Sequence, residues 1–406
     1  MHAAAPERLL IIGHGMASTR LVEELVERGP GRFNIILLGA EPRPAYNRIL
    51  LSPVLAGERA PDDILIHPAD WYARHGVALH CGITATAIDA GARRVATSDG
   101  RSFDYDRLVI ATGSSPLMPA LPGAGLPGVV SFRDVEDVAA MLDRAGEGRH
   151  AVVIGGGLLG LEAAHGLGQR GMAVTVLHRM PHLMERQLDA EAAGLLRGAL
   201  QSRGLSICTG MTAQEILGTD HVSGVRLADG RCLPADLVVL AIGVRPRVDL
   251  ARSAGLAVAR GIVVDDALRT SAPGIYALGE CAEHRGSCHG LVAPLYEMAR
   301  SLAAHLSGSE AVYCPAPTAT RLKVSGIDVF SAGDFTEGPE VEDIVLRDFR
   351  LGHYARLTVR ADRLVGAVLY GNTADAPFFA DLIQSGRSIS AMRDTLIFGP
   401  ALCAAA

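Results

Sequence analysis

Ala151-Val-Val-Ile-Gly-Gly-Gly-Leu-Leu-Gly160 is the stretch from which the fold is read. A short apolar run enters a glycine cluster, a helical pattern continues to about Arg170, and a second apolar run spans Ala173 to Leu177. Strand, tight turn, helix and strand in that order form the βαβ unit of a parallel sheet. Gly155, Gly157 and Gly160 complete a GxGxxG turn at the strand-to-helix junction. Such a turn brings backbone close to a pyrophosphate and aims the unpaired N–H groups of a helix N-terminus at it; a Cβ there would collide.

The same plan occurs earlier, in Arg8-Leu-Leu-Ile-Ile-Gly-His-Gly-Met-Ala-Ser18, followed by a helix to about Arg28 and a strand from Phe33 to Leu38. Gly13 and Gly15 take the first two glycine places and Ser18 the third, where a small residue still permits helix-to-sheet packing. Glu41, 28 residues after Gly13, is suitably placed to bond an adenosine ribose. In the second copy that acidic place is taken by His178 and Arg179, beginning 23 residues after Gly155. A basic pair could receive a 2′-phosphate, so NADH and NADPH both stay open. His14, within the first turn, is expected against the pyrophosphate, with no metal-ligand spacing beside it.

Between the copies, Leu108-Val-Ile-Ala-Thr-Gly-Ser-Ser-Pro116 reads as a buried strand stopped by a turn, and Leu237-Val-Val-Leu-Ala-Ile-Gly-Val-Arg-Pro246 repeats it. Each is expected to mark a crossing between domains. Thr270-Ser-Ala-Pro-Gly-Ile-Tyr-Ala-Leu-Gly-Glu-Cys281 supplies a third glycine-bearing junction. From about Pro315 the pattern alternates as in a small sheet-rich domain.

The totals bound these readings. At 406 residues the chain exceeds the roughly 250–300 residues that one core usually serves, so several domains are expected. A net charge of -6 without any Lys/Arg run leaves nucleic-acid binding without a source. Seven cysteines, an odd number without a CxxC pair, predict isolated reduced thiols. Cys281, Glu283, His284, Cys288 and His289 match no zinc spacing, and no metal is expected. The amino terminus does not read as a signal peptide, and the apolar stretch from Ala151 to Leu177 is broken by Glu162, His165, Gln169 and Arg170. No membrane span is expected, and the cytoplasm is the default location.

With these motifs together, the chain resembles the two-dinucleotide-binding flavoprotein reductases of the glutathione-reductase-like superfamily over nearly its whole length. The resemblance implies an α/β fold: a Rossmann-like FAD domain at 1–115 and 242–314, an interleaved NAD(P)H domain at 116–241, and a small α+β domain at 315–406. It implies that Gly13, Gly15, Met16, Ala17, Glu41, Arg48, Ala111, Thr112, Gly113 and Gly279 hold FAD, and that Glu280 reaches a ribityl hydroxyl. Val292, Ala293 and Pro294 would open a helix aimed at flavin N1 and O2, with Tyr296 as packing. Gly155, Gly157, Leu158, Leu159, Gly160, Glu162, His178, Arg179 and Gly243 would hold the nicotinamide nucleotide. Glu162 matches the family glutamate beside the nicotinamide and flavin N5. Arg48 matches the family arginine next to the flavin and could be the partner that a carboxylate in an apolar helix needs.

The stretch from Glu41 to Arg59 contains no cysteine, whereas the family's disulfide reductases, peroxidases and oxidases carry one or two there. A closer resemblance is to the flavoprotein part of assimilatory nitrite reductases and the electron-transfer flavoprotein of assimilatory nitrate reductases. It is carried by Glu41-Pro-Arg-Pro-Ala-Tyr-Asn-Arg48, Trp71-Tyr-Ala-Arg-His-Gly-Val77, Leu183-Met-Glu-Arg-Gln-Leu-Asp189 and Thr318-Ala-Thr-Arg-Leu-Lys-Val-Ser-Gly-Ile-Asp-Val329, besides the glycine turns. Rubredoxin and dioxygenase-ferredoxin reductases are similar but usually carry lysine where this chain has Pro53. The resemblance implies that a hydride from NADH or NADPH reaches the flavin and leaves as single electrons. Those nitrite reductases continue into iron–sulfur and sirohaem segments beyond the place where this chain stops at Ala406, so the expected acceptor is a separate iron–sulfur protein, a nitrate or nitrite reductase subunit. Rubredoxin, ferredoxin, or a flavin- or nucleotide-sensing role without turnover are the alternatives, and monomer and homodimer stay open.

Overall fold

Leu9 to Ile12 are buried without alternation, which requires a sheet covered on both faces. They lie in β1 (Glu7–Ile12), which leads through a turn into α1 (Met16–Arg28) and then β2 (Phe33–Gly39). The computed structural model describes residues 6–29, 31–315, 319–324, 326–348 and 350–403. Met1 to Ala5, and Thr318, Ser325 and Ala404 to Ala406 of the stretches discussed above, lie outside them.

The described chain divides into two compact units. The first comprises Met1–Leu51, Arg59–Ser115 and Val244–Pro315. Its five-stranded parallel sheet runs Ile275–Ala277, Arg107–Ile110, β1, β2, Val77–Cys81. Numbered along the chain this is the 3-2-1-4-5 order of a doubly wound sheet, with its topological switch beside β1. α1 packs with the helix Val292–Leu306, and the core joins Leu21 and Leu25 to Met298 and Leu302.

The second unit comprises Ser52–Glu58, Pro116–Gly243 and Ala316–Ala406. It repeats the device with β3 (His150–Ile154), α2 (Leu158–Gln169) and β4 (Ala173–His178). Its parallel sheet runs Ser206–Thr209, β4, β3, Leu237–Leu240, Val129–Ser131. The carboxyl-terminal part alternates as expected: five antiparallel strands with the helix Ala376–Ser385 packed on them over Phe330, Leu357, Leu369, Phe379 and Leu382. That sheet is tied to the helix Ala190–Ser202 by polar contacts. Tyr354 donates to Asp189 Oδ2 at 2.7 Å, and the buried Arg356 bonds Asp343 at 2.8 Å while also facing Asp189. Among the described residues no helix is long and apolar enough to cross a membrane.

Candidate functional site

Both glycine turns are built alike. Gly13 has φ +101° and Gly155 φ +128°, conformations that L side chains rarely adopt. A Cβ on Gly13 would lie 2.1 Å from Ala111 O, and one on Gly155 would lie 2.2 Å from Ala241 O. The second glycine of each turn is different: nothing lies within 4 Å of a Cβ placed on Gly15 or Gly157. These two residues are the N-caps of α1 and α2, at φ −81°, ψ −169° and φ −82°, ψ −179°, and neither helix start carries a side-chain cap. Each turn therefore offers unpaired N–H groups at a positive helix end beneath open space, which fits a pyrophosphate. The third places differ. Gly160 would put a Cβ 2.0 Å from Gly155 O, whereas the buried Ser18 is accommodated and donates its hydroxyl to Gly15 O at 3.0 Å.

The middle residues form a reciprocal pair. Ile12 is level with Leu38, and Ile154 with Leu177, so Gly39 and His178 hold equivalent strand-end places. In the first unit the His14 ring packs on Gly39, where a Cβ would come within 2.2 Å of its Nδ1. In the second unit Gly156 leaves the room, and the His178 ring lies 2.7 Å from where its Cβ would be. His14 Nε2 is 2.7 Å from Arg43 O, so this ring braces the loop carrying Glu41, a place the sequence reading did not foresee. Burial pushes His14 below the ordinary histidine range, although the Arg43 carbonyl and Glu41 act against it.

In the first unit, Glu41 accepts from Tyr46 Oη at 2.7 Å and is paired with Arg48. Burial alone would raise its pKa, but Arg48, Tyr46 and His14 together hold it below the usual carboxylate range. Met16 and Ala17 open α1, and Gly279, at φ +87°, would bring a Cβ to 3.4 Å from Ala17. Ala111 backs Gly13, Thr112 donates to Arg247 O at 2.8 Å, and Gly113 O accepts from Arg247 N–H at 2.9 Å. Ser114 donates to Glu280 Oε2 at 2.9 Å. Val292, Ala293 and Pro294 form the first turn of a helix that again lacks a side-chain cap. The fold thus gathers glycine turn, strand ends and acid at one sheet edge. Cys281 is buried beneath them, its Sγ 3.3 Å from Leu278 O, and burial pushes its thiol up. Glu283 accepts from Gly261 N–H at 2.7 Å and His284 faces Asp266 at 2.8 Å, so these two members of the Cys/His group have protein partners.

In the second unit, Leu158 and Leu159 begin α2, and Leu159 is exposed at the turn. Gly243, at φ +116°, accepts from Leu117 N–H at 2.9 Å. Arg179 is exposed after the strand end. Glu162, on the first full turn of α2, accepts from Ser52 Oγ at 2.7 Å. Within the second unit its hydrogen-bond donor is Ser52, and within the first unit Arg48 engages Glu41, only seven residues away in sequence. A neutral hydroxyl compensates a buried carboxylate less than a guanidinium would. Burial consequently pushes Glu162 up to about 7, with Ser52 acting against the shift. Ser52 is held by its own segment: a Cβ on Gly166 would lie 2.8 Å from Leu55, and Arg170 donates to Leu55 O at 2.7 Å. Ser52 adjoins Pro53 and no local sequence pattern marks it out.

Two doubly wound sheets, each with an open, uncapped glycine turn at its switch point, define the class of proteins with two dinucleotide-binding folds. The chain belongs to the pyridine nucleotide-disulphide oxidoreductase family, whose model matches residues 7–301. The model of the rubredoxin NAD+ reductase C-terminal domain matches residues 318–387. By that family membership the chain is a pyridine nucleotide oxidoreductase. It is 44% identical over 97% of its length to 49% of "Nitrite reductase [NAD(P)H]" of Bacillus subtilis (strain 168). It is 44% identical over 96% of its length to 51% of the "Assimilatory nitrate reductase electron transfer subunit" of the same organism. The chain spans about half the length of these curated relatives. Among solved structures, putidaredoxin reductase in its covalent complex with putidaredoxin is similar with a TM-score of 0.86 at 28% identity, covering 94% of each chain.

Proposed function

We propose that this protein takes a hydride from NADH or NADPH and delivers electrons to a separate iron–sulfur protein, a nitrate or nitrite reductase subunit, in the cytoplasm. The carrying observation is the presence of two open, uncapped glycine turns in a chain with no cysteine between Glu41 and Arg59. The turns have the form that cradles a pyrophosphate, and no thiol stands in the stretch after the first βαβ unit. The names of the two Bacillus relatives support the choice of acceptor, and the seven free cysteines accord with a reducing compartment.

Gly13, Gly15, Met16, Ala17, Ala111 to Gly113 and Gly279 would cradle FAD, with Glu41 at its ribose, Glu280 at its ribityl chain, Arg48 near the flavin, and the uncapped turn at Val292, Ala293 and Pro294 favouring negative charge. Gly155, Gly157 and Gly160, with Leu158, Leu159 and Gly243, would receive the nicotinamide nucleotide. Bound FAD supplies conversion of a two-electron donor into single electrons. The chain's own contribution is placement and proton control. Glu162, poised near pH 7 and oriented by Ser52, holds a proton at its carboxyl inside α2. The division into FAD, NAD(P)H and carboxyl-terminal domains belongs to the same proposal.

The test is anaerobic rapid mixing of the flavoprotein with NADH or NADPH, following the flavin band in wild type and Glu162→Gln. Fast bleaching, slowed about tenfold or more in the variant, is expected. No bleaching with either nucleotide would overturn the reading. The match to the rubredoxin reductase C-terminal domain favours a second acceptor class, so steady-state rates with rubredoxin and ferredoxin belong beside those with a nitrate reductase subunit.

A further inference from the structure

The second glycine turn lacks the strand-end acid that the first has in Glu41. Because His178 is level with Gly39, the residue at the Glu41 place is Met180. The structure nevertheless brings a carboxylate back to this edge. Gly156 N–H donates to His178 Nδ1 at 3.0 Å, which leaves the ring proton on Nε2. That nitrogen lies 3.1 Å from Glu185 Oε2. The loop after β4 is clasped to the same glycine, since Met184 N–H donates to Gly156 O at 3.0 Å. Met184 takes φ +51° to do so and is fully buried, as is Leu183 beside it. Both backbone groups of Gly156 thereby fix the position of Glu185, whose side chain stays 30% exposed with one oxygen not engaged by His178.

We propose that Glu185 is the carboxylate that reads the adenosine ribose hydroxyls, that His178 is its positioning residue, and that the site in consequence selects NADH over NADPH. This rests on the assignment of the Gly155–Gly160 turn to the nicotinamide nucleotide. Both His178 nitrogens are committed, one to Gly156 and one to Glu185, so this ring has no donor for a 2′-phosphate. Of the basic pair only the exposed Arg179 is available to favour one. The Glu185 carboxylate opposes it by like charge and offers the 2′-hydroxyl a charge-assisted acceptor.

The experiment titrates the flavin-loaded protein calorimetrically with ADP-ribose and with 2′-phospho-ADP-ribose, neither of which carries a reducible ring. Wild type is expected to bind ADP-ribose at least about tenfold more tightly, the scale of one hydrogen bond to a charged group. Glu185→Gln, isosteric and uncharged, is expected to erase that ratio. His178→Ala should narrow the ratio in wild type but leave it unchanged in the Glu185→Gln background, which a general loss of structure would not do. An unaltered flavin spectrum in each variant reports that the protein is folded. An unchanged ratio in Glu185→Gln overturns the proposal. So does a wild-type preference for the 2′-phosphate that Arg179→Ala abolishes. Failure of both ligands to bind would overturn the nucleotide assignment of the turn itself, together with what rests on it.

Discussion

At the end of β2, Gly39 leaves a gap that the His14 ring fills; at the end of β4, His178 fills the gap that Gly156 leaves. The backbones around the two gaps are nearly the same, down to the N-cap angles of Gly15 and Gly157 and the bonds Gly13 N–H to Leu38 O at 2.8 Å and Gly155 N–H to Leu177 O at 2.9 Å. One imidazole closes each turn, supplied from opposite sides. The consequences for the ligand edge differ. With the ring on the turn, the strand end is free to continue into a loop whose acid, Glu41, is fixed by Tyr46 and Arg48. With the ring on the strand end, the acid must come from farther along the chain, and Glu185 is the one that arrives. The glycine fingerprint thus builds the same backbone twice, while the filler of the neighbouring gap governs which acid is fixed beside it.

The strongest way to break the likeness is at the first glycines. Gly13→Ala and Gly155→Ala each force a Cβ into a carbonyl oxygen at positive φ and should each cost about 3 kcal/mol or more. The comparison sharpens if thermal melts show both losses while flavin absorbance disappears only in Gly13→Ala. Next comes the gap itself. His14→Gly should cost about 2–3 kcal/mol, because it empties the space and removes a partner of Arg43 O. Adding Gly39→His should recover part of that loss in urea melts, transplanting the second turn's arrangement into the first. No recovery would mean that the two gaps are not equivalent.

A smaller and pH-dependent effect is expected at Glu162, whose counterpart by spacing in the first turn's helix is Arg20, a cation ion-paired with Glu23 and Glu24. Folding raises Glu162 from 4.5 to about 7, so it favours the protonated form. That contribution is fully present below about 4.5 and is lost as pH rises through about 7. Glu162→Gln should therefore match wild type in stability at pH 4 to 5 and exceed it by on the order of 2 kcal/mol at pH 8, measured by denaturant midpoints. An equal margin at both pH values would remove the buried-acid account. The smallest stability effect belongs to Gly15→Ala and Gly157→Ala, within about 0.5 kcal/mol without nucleotide, because their Cβ atoms meet nothing. Calorimetry should nonetheless show weaker nucleotide binding, since the space lost is the ligand's.

Much of this was legible in the residues. Gly13, Gly155 and Gly160 stand where a Cβ would strike backbone, and a continuous apolar strand such as Leu9 to Ile12 has few folded environments open to it, so composition and spacing alone carried the two βαβ units of the parallel sheets. The absence of cysteine from Glu41 to Arg59 is likewise a fact of sequence. What spacing did not carry was partnership. Ser52 lies 110 residues from Glu162, and it is the bare Gly166 that lets its segment approach α2; no local pattern encodes that meeting. His178 read as half of a basic pair until its two nitrogens were found bonded to Gly156 and Glu185. Backbone conformation follows from local sterics and is written in the sequence residue by residue, whereas the pairing and protonation of a buried side chain depend on which distant group the tertiary fold brings within hydrogen-bond reach.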